Sequence, residues 1–320
     1  MRNYLRYGLT LFFFSQSLIF SFSQSLIFIE LNCENLFDTR HDEGKQDEEF
    51  TPEGTRRWTR TRYWRKLNAI GQDILSCAEQ LPSLVALVEV ENDTVMHDLT
   101  RRSLLRNAGY EYLMTESPDV RGMNVALLYQ PARFRPICYD ALEVPTLPDM
   151  RPTRQILYVK GETQRGDTLH FFVVHAPSRY GGELETRPYR RQVIDVLSTA
   201  LDTLMEKNVV VAGDFNDYAE SPSMQMLTTT GLLNVSVNAT GAEGRAKGTY
   251  RYRGEWHSLD HILLSPTLSE RLYSIYINDA TFLLEPEDIY GGWKPRRTFN
   301  GYRYQRGFSD HLPLVLLLHE

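Results

Sequence analysis

Short unbroken apolar runs recur along the chain, separated by segments whose apolar residues fall at helical spacing. Leu26–Leu31, Leu84–Val90, Asn124–Tyr129, Ile156–Gly161, Leu169–Val174, Val209–Ala212, Leu259–Leu264 and Leu314–Leu318 read as strands, with Tyr110–Thr115 beside them. After the turn at Pro52–Gly54, Trp64, Leu67, Gly71, Ile74, Leu75 and Ala78 share one face of a helix. A second helix is expected near Thr94–Asn107. Gly181-Gly182 reads as a turn ahead of a third, with Pro188 in its first turn and Val193, Val196, Leu197, Ala200, Leu201 and Leu204 pointing inward. Strands that are apolar throughout are covered on both faces, so the pattern predicts sheets flanked by helices, an α/β architecture.

The first two dozen residues follow another logic. Arg2 and Arg6 precede apolar Leu9–Phe14 and Leu18–Phe22, and Ser21-Phe22-Ser23 supplies a small-x-small step. This reads as a signal peptide over residues 1–23, which predicts a secreted or periplasmic protein. The heptapeptide FSQSLIF occurs twice, at 14–20 and 22–28, and the second copy runs into Ile29-Glu30-Leu31-Asn32. The folded domain is therefore expected to span 24–320. No later segment reaches 18 consecutive apolar residues, so the mature chain is expected to lack a transmembrane segment.

The formal net charge of −6 argues against a passive nucleic-acid coat but not against an enzyme that meets phosphates with local arginines. Three cysteines without a CxxC pair exclude a disulfide framework and a structural zinc site. The informative feature is where the apolar runs stop. Val85–Val88 ends at Glu89, Phe171–Val174 at His175-Ala176-Pro177-Ser178, and Val209–Ala212 at Gly213-Asp214-Phe215-Asn216. Gly307-Phe308-Ser309-Asp310-His311 stands before the last run, and Asn32 and Asp260-His261 hold similar places. Ligands of α/β sheets collect outside such strand ends. Carboxylates, amides and histidines without a thiolate suit a hard cation such as Mg²⁺. HExxH, GxxxxGK[ST] and GxSxG are all absent.

Taken in order, Asn32 with Asn35-Leu36-Phe37, Val88-Glu89, His175-Ala176-Pro177-Ser178, Gly213-Asp214-Phe215-Asn216, Leu259-Asp260-His261 and Ser309-Asp310-His311 resemble the endonuclease/exonuclease/phosphatase superfamily. The resemblance implies a four-layer α/β/β/α sandwich of two mixed β-sheets packed face to face, with the site at one open edge. It implies Mg²⁺-dependent phosphoester cleavage, with Mn²⁺ as substitute. Glu89 matches the principal metal carboxylate, and Asn32 and Asp310 match supporting metal positions. Asp214 and Asn216 match the pair that handles water and a phosphate oxygen. His311 matches the histidine on the scissile phosphate, Asp260 its orienting carboxylate, and His175 a leaving-group position. Either Asp214 or His311 could be the base.

The resulting expectation is an exported, monomeric phosphodiesterase acting on nucleic acid. The alternatives are a phosphomonoesterase and a phospholipase C-type hydrolase of inositol phosphate or sphingomyelin. Arg56–Lys66, basic with interleaved aromatics, reads either as a nucleic-acid contact or as the solvated face of a helix. Arg121, Arg179 and Arg190 lie near motif residues and could clamp phosphate, whereas His41, His97, His170, His257 and His319 have no motif partner. The segments Thr39–Arg60 and Pro286–Arg306 are the expected specificity elements.

Overall fold

A computed structural model describes residues 25–204 and 207–320, so the expected signal peptide lies outside the described residues. The chain begins with β1 (Ser25–Leu36), α1 (Arg60–Ser76), β2 (Leu84–Val90), α2 (Asp93–Arg101), β3 (Glu111–Met114) and β4 (Asn124–Tyr129). It continues through β5 (Phe134–Leu142), β6 (Ile156–Thr163), β7 (Thr168–His175), α3 (Glu183–Asp202), β8 (Asn208–Asp214) and α4 (Pro222–Thr229). Then come β9 (Leu233–Asn234), β10 (Tyr250–Tyr252), β11 (Glu255–His257), β12 (Asp260–Leu264), the single-turn α5 (Pro266–Ser269) and β13 (Leu272–Ile277). Two ribbons, β14 (Leu284–Pro286) with β15 (Trp293–Pro295) and β16 (Phe299–Asn300) with β17 (Arg303–Tyr304), precede β18 (Leu314–His319).

One six-stranded sheet has the order β13-β18-β1-β2-β4-β3 and the other β5-β6-β7-β8-β12-β9. Only β1–β2 and β7–β8 pair in parallel within them, so both sheets are mixed. The strand alternation builds the layers. Along β1, Leu26 and Phe28 enter the core between the sheets, with Phe171, Val210 and Ile262 opposite. Ile27, Ile29, Leu31 and Cys33 face outward onto Leu67, Ile70 and Ile74 of α1 and Val95 and Leu99 of α2. On the other sheet, Phe172, Val174, Val209 and Val211 pack under Val193, Ile194, Leu197 and Leu201 of α3. The four-layer α/β/β/α sandwich is the observed fold. Among the described residues no helix is long and apolar enough to cross a membrane.

Several elements depart from the sequence expectation. In α1, Leu67, Gly71 and Ile74 are buried as expected, but Leu75 is exposed and Ala78 lies beyond the helix. Lys66 and Asp73 take buried positions instead, a choice that polarity alone argues against. The second helix stops at Arg101 and yields to a 3₁₀ turn over Leu104–Asn107, capped by the Ser103 hydroxyl. Pro188 lies inside α3, since the helix already starts at Glu183. The carbonyl that Pro188 cannot serve belongs to Leu184, which is exposed and open to water. β5 has no counterpart among the expected strands: it is an edge strand with Ile137 and Tyr139 exposed and a register shift at Pro136.

Candidate functional site

The site lies where strands of both sheets end together. Asn32 follows Phe28 and Glu30 on the inward face of β1, and the pairing of β1 with β2 slips between Asn32 and Leu36. Glu34 and Asn35 absorb that slip at φ 47° and 56°, strained for residues with a Cβ. Glu89 sits in a second irregularity, between Val88 and Val90, at φ 60°. The bulge aims its carboxylate inward, where it accepts the Asn35 backbone N–H at 2.8 Å. Asn32 Nδ2 donates to Asp214 Oδ2 at 3.0 Å and reaches Glu89 Oε1 at 3.4 Å. One amide thereby ties the two sheets.

The second sheet supplies the opposite wall. The last pair of the parallel β7–β8 ladder is His175 with Asp214. One step earlier Gly213 opposes Val174, and a Cβ at Gly213 would stand 1.8 Å from the Val174 carbonyl oxygen. Only glycine permits this approach. Asp214 Oδ1 accepts the Asn216 backbone N–H at 2.8 Å, and Asn216, at φ 49°, donates its side-chain amide to the Ala176 carbonyl at 3.1 Å. Across the antiparallel β8–β12 ladder, Asp214 faces Asp260.

His311 enters from the segment before β18. Its Nδ1 is 2.7 Å from Asp260 Oδ2, an oxygen that also accepts the Thr249 hydroxyl. Its Nε2 lies 4.0 Å from Asp214 Oδ2. Burial pulls the imidazole down, but Asp260, then Asp214 and Asp310, outweigh it and hold His311 well above its usual pKa. His175 behaves oppositely: burial, with Arg154 and Arg121 nearby, pushes it well below. Its Nε2 stands 3.8 Å from Glu89 and 3.9 Å from Asp214, and its Nδ1 has no hydrogen-bond partner among the described residues. Burial and the Asp260 charge, opposed by His311, raise Asp214 to about 7. Asp310 gives one oxygen to Arg297 at 2.7 Å.

A cleft of about 570 Å³ joins these groups, and Glu89, His175, Asp214, Asn216, Asp310 and His311 line it. Asn32 and Asp260 stand behind them, nearly sealed from solvent. All eight expected residues therefore converge. Arg121 and Arg179 also line the cleft, with Arg179 4.5 Å over the Tyr218 ring. Arg190 does not: it is buried and paired with Asp217 at 3.3 Å, bracing the loop after Asn216.

Other cleft residues escape the sequence reading. Tyr250 packs on His311 with ring centroids 4.9 Å apart, and His257 is held by the Tyr218 hydroxyl at 2.7 Å. Behind the cleft, buried Arg154 donates to the Ala176 carbonyl at 2.7 Å. None of these follows an apolar run that would mark it. His261, beside Asp260, points away and meets the Asp217 carbonyl at 3.0 Å, as strand alternation requires.

A family model described as Endonuclease/Exonuclease/phosphatase family matches residues 27–320. No curated protein matches this sequence. Among solved structures, an endonuclease/exonuclease/phosphatase family protein from Bacteroides thetaiotaomicron is similar at TM-score 0.62 and 15% identity, covering 92% of this chain and 95% of that one. The human Nocturnin catalytic domain with bound sulfate is similar at 0.56 and 17%, covering 92% of each. A Bacteroides thetaiotaomicron mannosyl-6-phosphatase is similar at 0.58 and 16%, covering 92% and 100%. At these identities the structural likeness concerns the fold.

Proposed function

We propose, from the premise that this chain belongs to the endonuclease/exonuclease/phosphatase family, that it is an exported, metal-dependent phosphodiesterase that cleaves nucleic acid. The observation that carries the reading is the Asp260–His311 pair at 2.7 Å, facing Asp214 across the cleft from Glu89. An anionic phosphodiester repels a hydroxide-like nucleophile, so its site needs fixed positive charge where the oxygens lie. His311, held cationic among three carboxylates, supplies such a charge and donates from Nε2. Asp260 positions it, as a carboxylate on Nδ1 fixes both ring and tautomer.

We assign to Asp214 the proton of the attacking water, since its carboxylate is fixed by Asn32 and by the Asn216 backbone and titrates near neutrality. Asn216 shapes the turn that holds it. His175 serves the leaving-group side, where Arg121 and Arg179 add positive charge to the cleft.

The donor chemistry fits a divalent cation. Glu89, Asn32 and Asp310 offer oxygen donors and no thiolate, and the Glu89 carboxylate is preset by the Asn35 N–H and partly open to the cleft. Mg²⁺, or Mn²⁺ in its place, would sit with these residues and lend positive charge to the phosphoryl group. Asp214, Asp260 and His311 also approach one another within 4.8 Å. His311 is already committed there to Asp260, and we read that trio as the charge and proton apparatus.

The test offers plasmid DNA, RNA, a phosphomonoester and sphingomyelin to the full chain, with Mg²⁺ and after dialysis against EDTA. Cleavage of a nucleic acid that EDTA abolishes and Mg²⁺ restores is the expected result. It should fall by about 10²-fold or more in Glu89→Gln and His311→Ala. Turnover confined to the phosphomonoester or the lipid would replace the substrate assignment, and full activity in EDTA would overturn the metal.

A further inference from the structure

The basic run at 56–66 is more than the wet side of a helix. Trp58, Tyr63 and Lys66 are buried, and Arg56 and Arg62 fold against the loop that leads to Asp310. Arg56 lies 4.8 Å over the Phe299 ring and 5.7 Å over Tyr302, and donates to the Gly301 carbonyl at 3.2 Å. Arg62 lies 4.5 Å over Tyr304. Segments 245 residues apart in sequence thus become one surface, with a groove of about 530 Å³ between them.

Five arginines, Arg56, Arg57, Arg62, Arg303 and Arg306, line this groove. Glu49 pairs with Arg56 at 2.9 Å. Among the described residues no carboxylate is within ion-pair distance of Arg57, Arg303 or Arg306, all three exposed. The like charges also oppose α1. That helix begins at Arg60, has no acidic residue in its first turn, and receives no side-chain cap from Thr59. The positive end of its dipole therefore faces further positive charge, an arrangement that costs stability until an anion arrives. In a chain of net charge −6 this is a local excess of positive charge, and Arg57, Arg303 and Arg306 add to it without an ion pair among the described residues.

We propose that the groove is a second phosphate-binding track, which grips single-stranded nucleic acid away from the cleavage cleft. Planar guanidinium groups match phosphate oxygens in pairs, and the groove uses arginine throughout. Tyr302, 69% exposed at the rim, offers a ring face on which a base can stack. The 297–310 loop connects the groove to the site, since Arg297, which precedes the β16–β17 ribbon, is hydrogen-bonded to Asp310. A membrane surface fits less well, because the lining is concave and carries no aliphatic side chain to insert. The inference rests on the phosphodiesterase reading and adds to it a strand long enough to reach both places.

The experiment measures binding of a labelled single-stranded oligonucleotide to the full chain in EDTA, across a salt series. The variant combines Arg57→Gln, Arg303→Gln and Arg306→Gln, none of which lines the cleft. Loss of three phosphate contacts should lower the magnitude of the log K against log salt slope by about 2 and weaken binding about tenfold or more. Hydrolysis of bis(p-nitrophenyl) phosphate, too small to span groove and cleft, should stay unchanged. Arg57→Gln alone should lower the slope by about 0.7, which keeps the test valid if the triple variant folds poorly. An unchanged slope and affinity in both variants overturns the groove. Tight, salt-dependent binding of a strand that is never cleaved upholds the groove and sinks the nuclease assignment. Cleavage with an unaltered slope does the reverse.

Discussion

At the scale of single residues, the site depends on groups held away from their ordinary chemistry. Asp260 and His311 share one hydrogen bond and should act as a unit. Asp260→Asn and His311→Ala should each remove most of the rate, and the double variant should lose little beyond the worse single one. Additive losses in kcat/KM would show two independent contributions. His175 is tested by the leaving group. If it delivers a proton, His175→Ala should slow a natural ester by roughly 10²–10⁴ and a p-nitrophenyl ester far less, because p-nitrophenolate departs unaided. Equal losses on both would instead make it a phosphate donor. The strand-end residues were legible because a polar side chain closing a fully apolar run is conspicuous. Tyr250, Arg297 and Arg154 were not, since each reaches the site only through tertiary folding and stands beside no comparable boundary.

Elements with both faces buried were readable for a related reason: β2 and β4 match their apolar runs residue for residue. β5 was not, because it is an edge strand exposed along most of its length, so its apolar Ile137 and Tyr139 mark no buried face. On α1 the apolar periodicity marks Leu67, Gly71 and Ile74 but not the charged side chains that the fold buries beside them. Lys66 is satisfied by the Phe308 carbonyl, the Thr298 hydroxyl and nearby Glu34, while Asp73 Oδ1 has no hydrogen-bond partner among the described residues. Burial, only partly opposed by Lys66, raises Asp73 from 3.8 to about 8. An acid raised on folding favours the native state while protonated. Its contribution is complete below the unfolded pKa near 4, declines as pH rises, and is gone above about 8. Asp73→Asn, which keeps the shape without the charge, should therefore stabilise the protein at pH 9 by on the order of 2–3 kcal/mol and hardly at all at pH 4. Urea unfolding at the two pH values reads the difference directly. A destabilised variant at pH 9 would show that the carboxylate is paired when charged.

For the whole molecule, the proposed signal peptide over residues 1–23 predicts export. Expression in a host with a functional secretion apparatus should yield an extracytoplasmic product that begins near Gln24, lacking Arg2 and Arg6. N-terminal sequencing that finds Met1 on an intracellular product would overturn this. The sheet order has a separate consequence. β1 and β18 are neighbours, paired from Ser25–His319 to Glu30–Leu314, and the site combines Asn32 with His311. β1 must wait for β18 before the hydrogen bonds on that side are filled, a strongly non-local closure and one that folds slowly. A chain still emerging from the ribosome therefore holds Asn32 and Glu89 but not the Asp310-His311 segment that completes the cleft. By the order of its own strands, the cleft proposed to cut nucleic acid stays incomplete during synthesis until the Asp310-His311 segment has been made.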